Sequence, residues 1–250
     1  MRIASPFRSG AAALALVLVA LATGNPARGT DLAAAAPAEI PQSVLDSPGF
    51  LGNHPDVRWQ LEGLKRARRG SHAQAIGAFE QAARHADKFS QAMLASMHWH
   101  GQGTPTDRAT AYAWMDLAAE RGYRPLLLER ERMWAALSEQ EQQRAIEVGQ
   151  RLYAEYGDEV AKPRLERSLR AGLRRSVTGS RTGYDSGVKL AQPGADGSLG
   201  ASAGSARVDG FDERWWQPDR YWALQDERWG KAPVAEIEVL PLQPDTGPGD

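Results

Sequence analysis

Between residues 59 and 175, apolar positions recur at steps of three and four, interrupted by short glycine- or proline-marked breaks, and this period predicts helix throughout. Residues 91–123, QAMLASMHWHGQGTPTDRATAYAWMDLAAERGY, read as two short helices joined by a tight glycine-rich turn. Residues 59–84 have the same plan. Further on, Leu127, Trp134 and Leu137 keep helical spacing, and Ser138 with Glu141 makes a capping box that opens a helix through Ala145, Val148, Leu152 and Tyr156 to Gly157. After Pro163, another helix sets Leu165, Leu169 and Leu173 on one side. Near the end the period changes from helical to alternating: Ala235, Ile237 and Val239 against Glu236 and Glu238 predict a short strand over 234–242.

The two helix pairs are copies of one unit. Ala75, Ala82 and Ala83 recur at Ala111, Ala118 and Ala119, an offset of about 36 residues, while Leu61, Leu64 and Gly70 recur at Leu94, Met97 and Gly103 at about 33. The later copy therefore carries about three extra residues in its turn. Each repeated residue has a mechanical reason. Small side chains at Ala75, Ala82, Ala111 and Ala118 let paired helices approach, and Phe79 and Trp114 fill the space between turns. Gly101 and Gly103 suit a tight turn, Asp107 can cap the following helix, and Gly122 can close it.

In the second copy, Gly101, Gly103, Asp107, Ala111, Trp114, Ala118, Ala119 and Gly122 match the pattern GxGxxxDxxxAxxWxxxAAxxG, which resembles the Sel1-like repeat, a relative of the tetratricopeptide repeat. The first copy is similar to the tetratricopeptide pattern itself through Trp59, Gly63, Gly70, Ala75, Phe79 and Ala82. His98, Ala95 and Glu62 depart from these patterns, where Tyr, Gly and Leu are usual. The resemblance implies a short all-α solenoid of helix pairs, working as a protein-interaction scaffold, and it covers about a quarter to a third of the chain. Such pairs bury one face against a neighbour, so the helices over 124–177 are expected to cap the array.

Outside the helical region, residues 1–29 read as an export signal: Arg2 and Arg8 precede an apolar run of about 12 residues, too short to span a bilayer comfortably, and small residues follow. The expected address is the periplasm or the exterior, with no stable membrane insertion once the signal is cut. Residues 30–58 read as a flexible lead-in and 178–210 as a Gly, Ala and Ser linker. Residues 211–250 read as a Trp-rich tail ending in the strand. The chain has no cysteine, which removes disulfides and thiolate chemistry, and its formal net charge of -1 gives no footprint for nucleic acid.

Candidate chemistry is sparse. His98 and His100 are two apart on a helix and point in different directions, so they do not chelate one ion, and no metal or cofactor is expected. No nucleophile elbow, phosphate loop or dinucleotide fingerprint is present, and no catalytic residue is assigned. Glu129, Arg130, Glu131 and Arg132 read as a solvated ion-pair face. Two features point to binding. Arg164, Arg167, Arg170 and Arg174 form a cationic stripe suited to an acidic partner. Trp215, Trp216, Tyr221 and Trp222 either dock the tail onto the helical body or form an exposed platform for a partner such as an envelope glycan.

Overall fold

A computed structural model describes residues 40–47, 49–178 and 212–230. Two single turns, α1 (Gln42–Leu45) and α2 (Phe50–Asn53), lead into α3 (Pro55–Arg68), α4 (His72–Ala83), α5 (Lys88–His100) and α6 (Arg108–Ala118). A turn of 3-10 helix (Ala119–Arg121) precedes α7 (Arg124–Ala135), α8 (Glu139–Tyr156) and α9 (Asp158–Thr178), and then come α10 (Glu213–Trp216) and α11 (Pro218–Gly230). The architecture is a solenoid of paired helices: α3 lies along α4, α5 along α6, and α8 extends the row beside α6.

The repeat residues act through close approach. A methyl group on Gly63 would lie 2.5 Å from the Phe79 ring, so the glycine is the seat on which Phe79, fully buried, joins α3 to α4. In the second turn Gly101 and Gly103 take φ of 70° and 76°, a region that favours glycine. Gly103 also rests on the start of α4, where an added Cβ would come within 2.5 Å of the Ala73 nitrogen. The longer turn of the second copy thus reaches back to the first. Asp107 accepts from the Thr110 N–H at 3.0 Å to cap α6 and is also held by Arg144 of α8 at 2.6 Å. Ala75, Ala82, Ala111, Ala118 and Ala119 are buried, Trp59 is half-buried beneath Arg58, and Gly122 closes the 3-10 turn at φ 74°. Trp114 is buried too, but its ring meets Tyr156 of α8 at 4.8 Å, so it also joins its pair to the next helix.

Four expectations change. Among the described residues there is no strand, so the class of helices plus a C-terminal strand is corrected to all-helical; the expected strand over 234–242 lies outside the described residues. The aromatic part of the tail is helix because Asp212 caps α10, its side chain accepting from the Arg214 N–H, and Pro218 opens α11. The segment read as a lead-in carries α1, α2 and the start of α3, and packs Val44, Phe50 and Val57 into a second core cluster. Glu129 is buried and bonded to Arg132 at 3.1 Å, and Arg130 lies 3.6 Å from Asp116, so only part of that run is solvated. Finally, α9 starts before Pro163 rather than after it, since Gly157 turns the chain in extended geometry and Asp158 begins the helix. The capping box at Ser138 and Glu141 is formed as read.

Candidate functional site

The N-terminal ends of α3, α5 and α7 form a row: His54, Asp87 and Tyr123 are their N-cap residues, and Asp56 lies in the first turn of α3. Helix α9 doubles back across this row. Its first residue, Asp158, meets Lys88 and Arg121; Arg164 donates to the Glu155 carbonyl at 2.6 Å; and Gly172 sits against Asn53, where an added Cβ would be 2.7 Å from Cγ. Helix α11 then lies beside α9 and reaches from Asp56 at one end to Tyr123 at the other.

A buried charge network anchors α9. Lys88 Nζ is sealed from solvent and donates to Glu120 Oε2 (2.8 Å), the Leu117 carbonyl (3.0 Å) and Gln91 Oε1 (3.1 Å), with Asp158 Oδ1 at 3.0 Å. Arg121 grips the same carboxylate through Nε (2.6 Å) and Nη2 (3.0 Å). Burial pushes the Asp158 carboxyl up, but Arg121, Lys88 and Lys162 outweigh it and hold it well below the usual carboxylate range. Burial also pushes the Lys88 ammonium down, against Asp158 and Glu120. Charges this deep hold position because each has a partner.

Helix α11 is held at separate points by particular side chains. The Tyr221 hydroxyl donates to Asp56 Oδ2, while Asp56 Oδ1 has no hydrogen-bond partner. Burial raises the Asp56 carboxyl to about 6 even with the Tyr221 bond opposing it, and it raises Asp87, half-buried, to about 6 as well. Arg228 lies within electrostatic reach of Tyr221 and both carboxylates. Trp222 donates its indole N–H to Glu166 of α9 at 3.1 Å, and its ring lies 4.8 Å from the Arg121 guanidinium and 5.1 Å from the Lys162 ammonium. Tyr123 donates its hydroxyl to Asp226 at 2.5 Å and stacks on Trp229.

Short helix α10 is tied down by His54, whose Nδ1 is 2.9 Å from the Phe50 carbonyl and whose Nε2 is 2.8 Å from the Trp215 carbonyl. The imidazole lies flat on the Phe50 ring at 3.9 Å. A neutral ring has one N–H and serves one of these carbonyls; the imidazolium would serve both. Burial nevertheless outweighs the two backbone contacts and lowers its pKa.

Of the residues singled out in the sequence, Trp215, Trp216 and Tyr221 are buried, packed with Phe50, Leu165 and Leu169, and Trp222 is half-buried under Arg121 and Lys162. Trp215, Trp216 and Tyr221 therefore present no open ring face in this arrangement. The arginine stripe divides: Arg164 is spent on the Arg84 and Glu155 carbonyls, Arg170 pairs with Glu166 at 2.9 Å, exposed Arg167 bonds the Pro163 carbonyl, and Arg174 is exposed but engaged. The repeat residues from Gly63 to Gly122 shape the row, and Trp229 of α11 joins the core cluster that holds Ala75, Phe79, Ala111, Trp114, Ala118 and Ala119. The residues that do hold this helix, Asp56, Arg121, Tyr123 and Glu166, were not singled out; Asp56 opens α3 and Arg121 and Tyr123 lie on either side of Gly122, whereas Glu166, inside α9, carried no such signal.

Among the described residues no group of three or more His, Asp or Glu is arranged to hold a metal ion, and no described helix is long and apolar enough to cross a membrane. Compared with family models, curated proteins and solved structures, the chain matches none. The geometry itself offers fixed acceptors, cations and one aromatic face, all aimed at a helix.

Proposed function

We propose that the protein is a non-catalytic, exported interaction scaffold built on Sel1-like helix pairs, and that it recognises protein partners along the row formed by the N-terminal ends of α3, α5 and α7. The observation that carries this reading is α11 itself, a helix of the same chain seated on that row through Tyr221 and Trp229 and held against the neighbouring α9 through Trp222. Tyr, Trp and Arg dominate the contacts, as they do at the energetic centres of protein interfaces. The mode is a helix laid in a groove, with specificity supplied by anchors one to two turns apart.

The test uses the full chain with a protease site inserted between Gly200 and Ala201 and cut after folding. A fluorescent peptide of residues 211–230 is added in excess, in mild urea to speed exchange. The expected result is saturable uptake with a Kd of about 1 μM or tighter. A cut chain that keeps its helicity and takes up no peptide would overturn the reading. Export is tested separately: intact mass of the protein from osmotic-shock fluid is expected to show a start within about residues 23–30.

A further inference from the structure

We infer that this row is a reader of unmodified tyrosine: the partner it fits is a helix carrying a Tyr-Trp pair and, two turns on, a second Trp, the order found in YWALQDERW of α11. The inference rests on the preceding reading, that the row binds a helix, and adds which helix.

The Tyr221 ring is fully buried and its hydroxyl donates to Asp56 Oδ2. Oδ1 of the same carboxylate has no hydrogen-bond partner, and beside the backbone N–H groups of Asp56 and Val57 the phenol is the side-chain donor that faces Asp56. A phenylalanine helix would fill the same space and leave a buried carboxylate without that donor. Sites built to bond a hydroxyl discriminate far more strongly against its absence than apolar pockets discriminate against a missing methylene. Phosphorylation is opposed by the same geometry, since it would drive a dianion against Asp56 in a fully enclosed site with Asp87 in electrostatic reach, and Arg228, the cation also in reach, already faces those two carboxylates.

The other anchors set the spacing. Trp222 needs its N–H for Glu166 and its face for Arg121 and Lys162, so neither Phe nor Leu replaces it. Trp229 falls two turns later on the same side of the helix and stacks on Tyr123. Asp226, between them, accepts from the Tyr123 hydroxyl and fixes that ring for stacking. In the intact chain α11 occupies the row, so a partner of this pattern works by exchange with it.

Competition against the labelled 211–230 peptide on the cut chain tests this, and because the changes are in the competitor, folding of the receptor is not at stake. The unlabelled natural peptide is expected to compete fully. The Tyr221→Phe peptide should be weaker by about 30-fold or more, a Trp222→Phe peptide by about 10-fold, and the phosphotyrosine peptide should not compete. A Tyr221→Phe or phosphotyrosine peptide within about threefold of the natural one would overturn tyrosine reading while leaving helix recognition intact. Failure of the natural peptide to bind at all would instead overturn the underlying reading.

Discussion

Tyr123 and Trp229 lie face to face, ring centroids 5.2 Å apart and planes within 9°, one at the start of α7 and the other at the end of α11. The pair carries the far end of α11, and the Tyr123 hydroxyl is bound to Asp226 of the same helix. Trp229 is also part of the main core cluster, which includes Met93 and Tyr123. Trp229→Ala is therefore expected to cost about 3 to 5 kcal/mol, while Tyr123→Phe, which keeps the stack and loses one hydrogen bond, costs about 1 kcal/mol. Denaturant melts of both variants check the ratio; equal losses would mean that the stack does not anchor the helix.

Gly63 and Gly70 separate two reasons for glycine. At Gly63 an added methyl meets the Phe79 ring, whereas Gly70 has φ 73° and open space around it. Gly63→Ala should cost about 1 to 3 kcal/mol through overpacking, and part of that loss should return on combination with Phe79→Leu. Gly70→Ala should cost about 1 kcal/mol from its backbone alone, with no rescue by Phe79→Leu. Thermal melts of the natural protein, of Phe79→Leu alone and of the four glycine variants decide it.

The Lys88 network should break asymmetrically. Lys88→Met removes the sealed cation; Asp158 keeps Arg121 and Lys162, whereas Glu120 is left with the Asp158 N–H, so a loss of about 3 to 5 kcal/mol is expected. Exposed pairs such as Arg130 with Glu131 should contribute about 0 to 1 kcal/mol on removal. Added salt should shrink the second effect and leave the first nearly unchanged, which chemical denaturation at two ionic strengths would measure.

Acid titration should expose Asp56. Its carboxyl is raised from 3.8 to about 6 in the fold, so the folded chain holds a proton that the unfolded chain has released over that interval. This contribution is fully present below about pH 4, is lost as pH rises to about 6, and is constant above, amounting to about 3 kcal/mol over the window. Asp56→Asn does not titrate. The variant should gain on the natural protein between about pH 4 and pH 6 and then run parallel to it; His85, lowered to about 4, slopes the other way in both proteins and cancels in the difference, while Asp87, raised to about 6 in part by the Asp56 charge, is eased in the variant and adds to the gain. A pH-independent difference in melting would contradict the assignment.

The helix pairs were legible because their determinants are local. Phe79 against Gly63, the Asp107 cap and the left-handed Gly101 and Gly122 all act within one unit, and small-residue periodicity records them. The row under α11 was not legible, because its bonds join distant stretches: Tyr221 and Asp56 are separated by 165 positions. The arginines of α9 looked like a face for a partner, yet Arg164 answers to backbone carbonyls that no spacing rule reveals. In the tail, aromatic richness without aliphatic period hid two helices. Their signal was the Asp212 cap, Pro218 at a helix start, and Trp222, Asp226 and Trp229 at helical steps.

An open stack of helix pairs behaves like a row of dominoes, each unit sensing its neighbours, and such rows fray from their ends. Here Gly172 of α9 touches Asn53 at the front of the array as well as Trp216 of α10. That clasp turns the row into a loop. Neither end can peel away without opening contacts made by the other, so unfolding should be one concerted event, and the closing contact, made between residues far apart in the sequence, should place a slow step at the end of folding.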